Sequence, residues 1–142
     1  MKKIDLNPLN RAIDALSRSI AVSKQYAHDS KASNDLKETL QAGVIQHFEF
    51  SYELSFKMLK RQLEHESATP ATVDSISFQD LIREGAEKQY IQDPKKWLAY
   101  RHQHNLTSHT YREDYAKSVY QTATEFYNDA LDLLKKLEAK NQ

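Results

Sequence analysis

The densest cluster of side chains able to do chemistry is the run Arg101-His102-Gln103-His104-Asn105-Leu106-Thr107-Ser108-His109-Thr110-Tyr111, which holds three of the chain's six histidines. Asn105, Thr107 and Ser108 favour turns and caps, so the preceding helix is expected to end near them. Arg101 and His104 are three apart and share one face of that outgoing helix. His109 and Tyr111 flank the start of the next helix, where unpaired N–H groups and the helix dipole favour an anion. An arginine, imidazoles, hydroxyls and a helix N-terminus together suit a phosphate group. A polar inter-helix loop with exposed histidines is the plainer reading of the same residues.

Other chemistries have weaker support. His102 and His104 are two apart on a helix and point away from each other, and there is no cysteine. A zinc site is therefore not expected. Glu49 and Glu53 share a helix face and could serve as paired carboxylates. Lys57 follows at the next step of four, however, so a solvated charge ladder explains them as well. His47 and His65 on the same helix read as structural or solvated. No glycine-rich phosphate loop or nucleophile elbow occurs, and no cofactor or metal is expected.

Helices must position these residues. Only two glycines and three prolines occur in 142 residues, too few for the many tight turns of a sheet protein. Leu6, Leu9, Ile13, Leu16 and Ile20 alternate at spacings of three and four, which predicts a helix over 8–26 with Asn7 as its cap and Pro8 in its first turn. A second, long helix starts near Asp35, with Ile45, Phe48, Tyr52, Leu59 and Leu63 on its apolar face and Gly43 as an expected close-packing position. Residues 66–77 read as a loop. A short helix over 78–88 carries Phe78, Leu81 and Ile82, capped by Ser77. Asp93-Pro94 opens another, with Trp97, Leu98 and Tyr100. Thr110 and Glu113 have capping-box spacing, and beyond them Val119, Ala123, Phe126, Ala130, Leu134 and Leu137 form the last apolar stripe. The expected fold is all-α: a single-domain antiparallel four-helix bundle with a short extra helix.

Lys plus Arg and Asp plus Glu number 20 each, giving zero formal net charge. Non-specific coating of long nucleic acid is disfavoured by that balance. A local site for a nucleotide or short RNA is compatible with it. The absence of cysteine suits a reducing, cytoplasmic setting. No run of about 18 apolar residues exists, so no membrane association is expected.

Two segments carry a family resemblance. Gln46-His47-Phe48-Glu49-Phe50-Ser51-Tyr52-Glu53-Leu54-Ser55-Phe56-Lys57 resembles the second-helix signature of the nucleotidyltransferase substrate-binding proteins, members of the HEPN helical superfamily. Trp97-Leu98-Ala99-Tyr100-Arg101, with Asn105 to Tyr111 after it, resembles that family's active-site segment. The likeness runs from Leu6 to the last helix. It implies a homodimeric, HEPN-like four-helix bundle that pairs with a small, separately encoded nucleotidyltransferase in a toxin–antitoxin-like module. The HEPN subunit in such pairs can be a metal-independent ribonuclease, silenced when its partner adds AMP to a tyrosine.

The family pattern is arginine, four residues, histidine, any residue, tyrosine. His109 matches its histidine, Tyr111 its modifiable tyrosine and Asn105 the polar residue after the arginine, whereas position 104 holds histidine. Arginine is always charged and forks two donors onto a phosphate, while histidine titrates near neutrality and offers one donor per ring nitrogen. Arg101, one turn earlier, is the candidate substitute. The expected catalytic set is Arg101, His104 and His109, with Asn105 and Ser108 contacting nucleotide or RNA and Tyr111 as AMP acceptor. An adaptor without catalysis, and a helical interaction protein with no nucleotide connection, are the alternatives.

Overall fold

The computed structural model describes residues 3–109 and 112–142. Among them are α1 (Asn7–Ala27), α2 (Asn34–Glu66), α3 (Pro70–Ser75), α4 (Phe78–Glu87), α5 (Pro94–Asn105) and α6 (Glu113–Lys140), with a 3-10 turn at Leu106–His109 and no strand. The layout is the all-α bundle the pattern predicts. The four longer helices α1, α2, α5 and α6 pack around one core. No helix among the described residues is long and apolar enough to cross a membrane.

The stripes read from the sequence are buried, except that Leu6 is only partly so, and Val44 joins the stripe of α2. Leu9, Ile13, Leu16 and Ile20 of α1 meet Val44, Ile45, Phe48, Tyr52, Leu59 and Leu63 of α2, and α6 adds Val119, Ala123, Phe126, Ala130, Leu134 and Leu137. At 33 residues, α2 runs about 50 Å at ~1.5 Å per residue and is the spine against which the others pack. Phe126 centres an aromatic knot. Its ring lies 5.2 Å from Phe48, 5.7 Å from Trp97 and 5.1 Å from Tyr100, each edge to face, the arrangement that ring quadrupoles favour.

Caps explain most boundaries. Ser33 Oγ accepts from Leu36 N–H at 3.0 Å, Ser77 Oγ from Asp80 N–H at 3.2 Å and Asp93 Oδ1 from Lys95 N–H at 3.1 Å. The expected cap of α1 is not made. Leu6 is the N-cap of α1, and Asn7 already belongs to the helix. Its N–H donates to Asp5 Oδ1 at 3.0 Å, so the aspartate does the work expected of Asn7. Arg112 is the N-cap of α6 with no side-chain cap bond of its own, and Glu113 is the first residue of the helix. Thr110 lies outside the described residues.

Two further expectations are corrected. The stretch read as a loop contains α3, because Pro70 is favoured in a first helical turn and Val73 supplies a buried anchor. Gly43 is not a close-packing position, since a Cβ there would meet nothing within 4 Å. Gly85 in α4 is the tight one. Its added Cβ would lie 3.2 Å from Leu59 Cδ2 and 3.3 Å from Ile91 Cδ1. The chain then reverses through Gln89 at φ 69°, with the Gly85 carbonyl accepting from Tyr90 N–H at 2.8 Å.

The ends are stapled together. Asn141, just past α6, accepts from Ile4 N–H at 3.0 Å and donates through Nδ2 to Gln62 Oε1 at 2.9 Å and to the Leu137 carbonyl at 2.8 Å.

Candidate functional site

The C-terminal half of α5 lies over α2 and beside the start of α4. Trp97 and Tyr100 face inward, and the Tyr100 hydroxyl donates a hydrogen bond to Asp129 of α6. Burial raises the Tyr100 phenol pKa well above its ordinary value, and that hydrogen bond adds to the rise. With this face buried, the next residues around the helix, Arg101, His104 and Asn105, face outward onto a shallow cleft. Tyr52, Glu53, Phe56 and Phe78 complete its lining.

Each side chain in the cleft has a definable restraint. The Arg101 guanidinium carbon sits 4.3 Å from the Phe78 ring centroid, a cation–π contact. Phe78 in turn packs on Phe56, with centroids 5.1 Å apart. His104 stacks on Tyr52 at 4.6 Å and 28°, and its Nε2 donates to Glu53 Oε1 at 3.0 Å. Burial raises the Tyr52 phenol pKa, and the positive charge of Arg101 opposes that rise only in part. Tyr52 is therefore a neutral phenol at physiological pH.

The end of α5 is closed by hydroxyls from the following turn. Thr107 Oγ1 donates to the His104 carbonyl at 2.7 Å and Ser108 Oγ to the Asn105 carbonyl at 3.4 Å. Both thus satisfy carbonyls that a helix end leaves unpaired. Gln103 Oε1 accepts from Ser118 Oγ of α6 at 3.1 Å, tying the segment to the bundle.

The predicted residues separate into two groups. Arg101, His104 and Asn105 line one cleft. Ser108 and His109 lie exposed on the 3-10 turn beyond it, and Tyr111 is outside the described residues. The first turn of α6 carries Glu113 and Asp114, so an anion approaching that helix end meets two carboxylates.

Sequence reasoning missed the α2 side of the cleft. Tyr52 and Glu53 fall within the second-helix segment quoted above, but nothing in their spacing reveals which of α5's residues they meet. Among the described residues the ion-pair partner of Glu53 is His104 rather than Lys57, so the expected charge ladder is not what forms. Glu49, Glu53 and His104 each bring one ligand-type atom to within 4.8 Å of the others.

An all-helical bundle with this outward-facing cleft on its fifth helix is a HEPN-like protein. The chain belongs to the nucleotidyltransferase substrate binding protein-like family, whose sequence model matches residues 4–139. A Haemophilus influenzae protein named probable ribonuclease HepT is 38% identical over 141 residues, covering 99% of this chain and 96% of that protein. A solved structure from Haemophilus influenzae, described as the fold of a substrate binding domain of a nucleotidyltransferase, superimposes with a TM-score of 0.90 at 36% identity. That match covers 94% of this chain and 99% of the other. A Thermus thermophilus structure shares the fold at a TM-score of 0.62 and 22% identity, over 86% of this chain and 98% of the other.

Proposed function

We propose that this chain is the HEPN-type subunit of a two-protein, toxin–antitoxin-like module. It forms a homodimer, pairs with a separately encoded small nucleotidyltransferase and presents the end of α5 and the 3-10 turn to a nucleotide or RNA. The observation that carries this reading is the convergence of Arg101, His104 and Asn105 on one cleft, immediately before the turn that bears Ser108 and His109. Family membership and the ribonuclease name of the Haemophilus influenzae relative support it.

In the catalytic form of this reading, a ribose 2′-hydroxyl attacks the adjacent phosphorus and the bond to the 5′-oxygen breaks. The products are a 2′,3′-cyclic phosphate and a 5′-hydroxyl. His109 moves the proton, and a cation stabilises the charge that builds on the phosphoryl oxygens. Because His104 Nε2 is engaged by Glu53, that second role falls to Arg101. Its guanidinium already lies in the cleft, and an arginine can fork two donors onto a phosphate. Tyr111 is the AMP acceptor: its hydroxyl attacks the α-phosphorus of ATP on the partner enzyme, with loss of pyrophosphate.

A specific observation favours a second reading, a non-catalytic adaptor. The carboxylates of Glu49 and Glu53 flank His104 and repel a phosphodiester. One experiment separates the two. The purified chain and its His109→Ala variant are incubated with tRNA in EDTA. Cleavage that survives EDTA and disappears in the variant supports the ribonuclease; no cleavage by either protein leaves the adaptor. Mass spectrometry after co-expression with the adjacent nucleotidyltransferase tests Tyr111, and an unmodified Tyr111 peptide from an active pair removes it as acceptor.

A further inference from the structure

We propose that Glu49, Glu53 and His104 form a binding site for one divalent transition-metal ion of the zinc class. Glu49 and Glu53 are one turn apart on α2, and His104 reaches them from α5, so the donors come from two elements that the bundle holds in place. Their three ligand-type atoms lie within 4.8 Å of one another. Around zinc, donors at about 2.1 Å from the metal sit about 3.4 Å apart in a tetrahedral set. His104 Nε2 and Glu53 Oε1, at 3.0 Å, are already near that spacing. The ion would displace the proton on His104 Nε2, leaving the neutral ring protonated on Nδ1. Only the Glu49 carboxylate must swing inward, and as a half-buried side chain with no hydrogen bond or ion pair among the described residues it is free to do so.

Two features distinguish this cluster from ordinary surface acids. First, the imidazole is pre-oriented. Tyr52 stacks on one face of the ring at 4.6 Å, which fixes the direction of Nε2 before any ion arrives and lowers the ordering cost of binding. Second, two carboxylates face a single histidine, so negative charge remains whatever the histidine's protonation. One imidazole nitrogen with two carboxylate oxygens suits zinc and its neighbours better than magnesium or calcium, which prefer all-oxygen sets. A bound ion offsets the carboxylates beside Arg101 and turns the cleft from mixed to net positive. The site stands independently of RNA cleavage, which is assayed in EDTA.

The test uses the full-length chain, free of affinity tag and stripped with chelator. It is titrated with Zn²⁺ by calorimetry and with Co²⁺ by visible absorption. One ion per chain is expected, with a Co²⁺ d–d band typical of low coordination number. His104→Gln and Glu49→Gln should each weaken Zn²⁺ binding about tenfold or more, the scale on which lost support costs metal affinity. His102→Gln, an exposed histidine on the same helix, should leave it unchanged. Circular dichroism verifies that each variant is folded, and Glu49→Gln disturbs no core contact. Equal affinity in the wild type and both site variants overturns the proposal. So does the absence of saturable binding up to about 1 mM Zn²⁺, an affinity worth only about 4 kcal/mol.

Discussion

The two glycines should respond in opposite directions to the same substitution. Gly43 is the tenth residue of α2, and in a helix interior glycine costs about 1 kcal/mol relative to alanine because its backbone loses more freedom on folding. Beyond its chain neighbours and the backbone of its own helix turn, the methyl group added by Gly43→Ala would meet no heavy atom within 4 Å. Nothing offsets the gain, so the variant should be more stable by about 1 kcal/mol, or about 3 °C in Tm for a chain of this size. At Gly85 the same propensity gain is smaller, because the residue is near the end of α4. The new methyl would also press on Leu59 Cδ2 at 3.2 Å and Ile91 Cδ1 at 3.3 Å. Both belong to the core, and overpacking of that kind costs about 1–3 kcal/mol. Gly85→Ala should therefore lose about 1 kcal/mol net. Urea denaturation followed by far-ultraviolet circular dichroism gives both numbers. Running it at two protein concentrations isolates any contribution from self-association, which alone depends on concentration. If Gly43→Ala is destabilised at both concentrations, or Gly85→Ala gains as much as Gly43→Ala, the reading of α2 and α4 packing is wrong.

Three further outcomes follow from the core and its edges. Phe126→Ala removes the ring that Phe48, Trp97 and Tyr100 all contact edge-on. It should cost about 3–5 kcal/mol and erase most of the near-ultraviolet circular dichroism, whereas retention of that signal would count against a shared aromatic knot. Asn141→Ala deprives Ile4 N–H and the buried Gln62 of partners. A loss of about 1–2 kcal/mol is expected, together with faster hydrogen exchange at the Ile4 amide. The tyrosines set an alkaline limit. Burial holds the Tyr90 and Tyr100 phenols above the ordinary value of 10.0, with hydrogen bonds to Glu66 and Asp129 adding to the shift. The native state keeps protons that the unfolded chain releases, so this stability is complete below pH 10 and is lost as pH rises beyond it. Tyrosinate absorbance should show some phenols ionising only as the helices melt, and Tyr100→Phe should make that step smaller.

Much of the bundle was legible in the chain itself. The stripe from Leu9 to Ile20 and the one from Val119 to Leu137 repeat at the helical period, and a period survives any arrangement of neighbours. Ser77 and Asp93 cap where expected because a cap is a contract between residues two or three apart. Arg101 and His104 share a face for the same local reason. The misreadings arose where local signals compete. Asp5 and Asn7 can each cap α1, and the polar stretch 66–77 predicts a loop although its Pro70 also suits a first helical turn.

What neighbours decide could not be read from spacing. Gly43 and Gly85 are the same residue in two helices, and only the approach of Leu59 and Ile91 makes one of them tight. Glu53 had Lys57 one turn away as its expected partner and took His104, fifty-one positions along the chain. The sequence alone determined which faces are apolar, where most helices begin and which residues could do chemistry. The tertiary structure alone decided that the imidazole of His104 meets carboxylates while Arg101 lies over an aromatic ring. Contacts within one helix follow from its pitch, but contacts between helices depend on how whole stripes interlock.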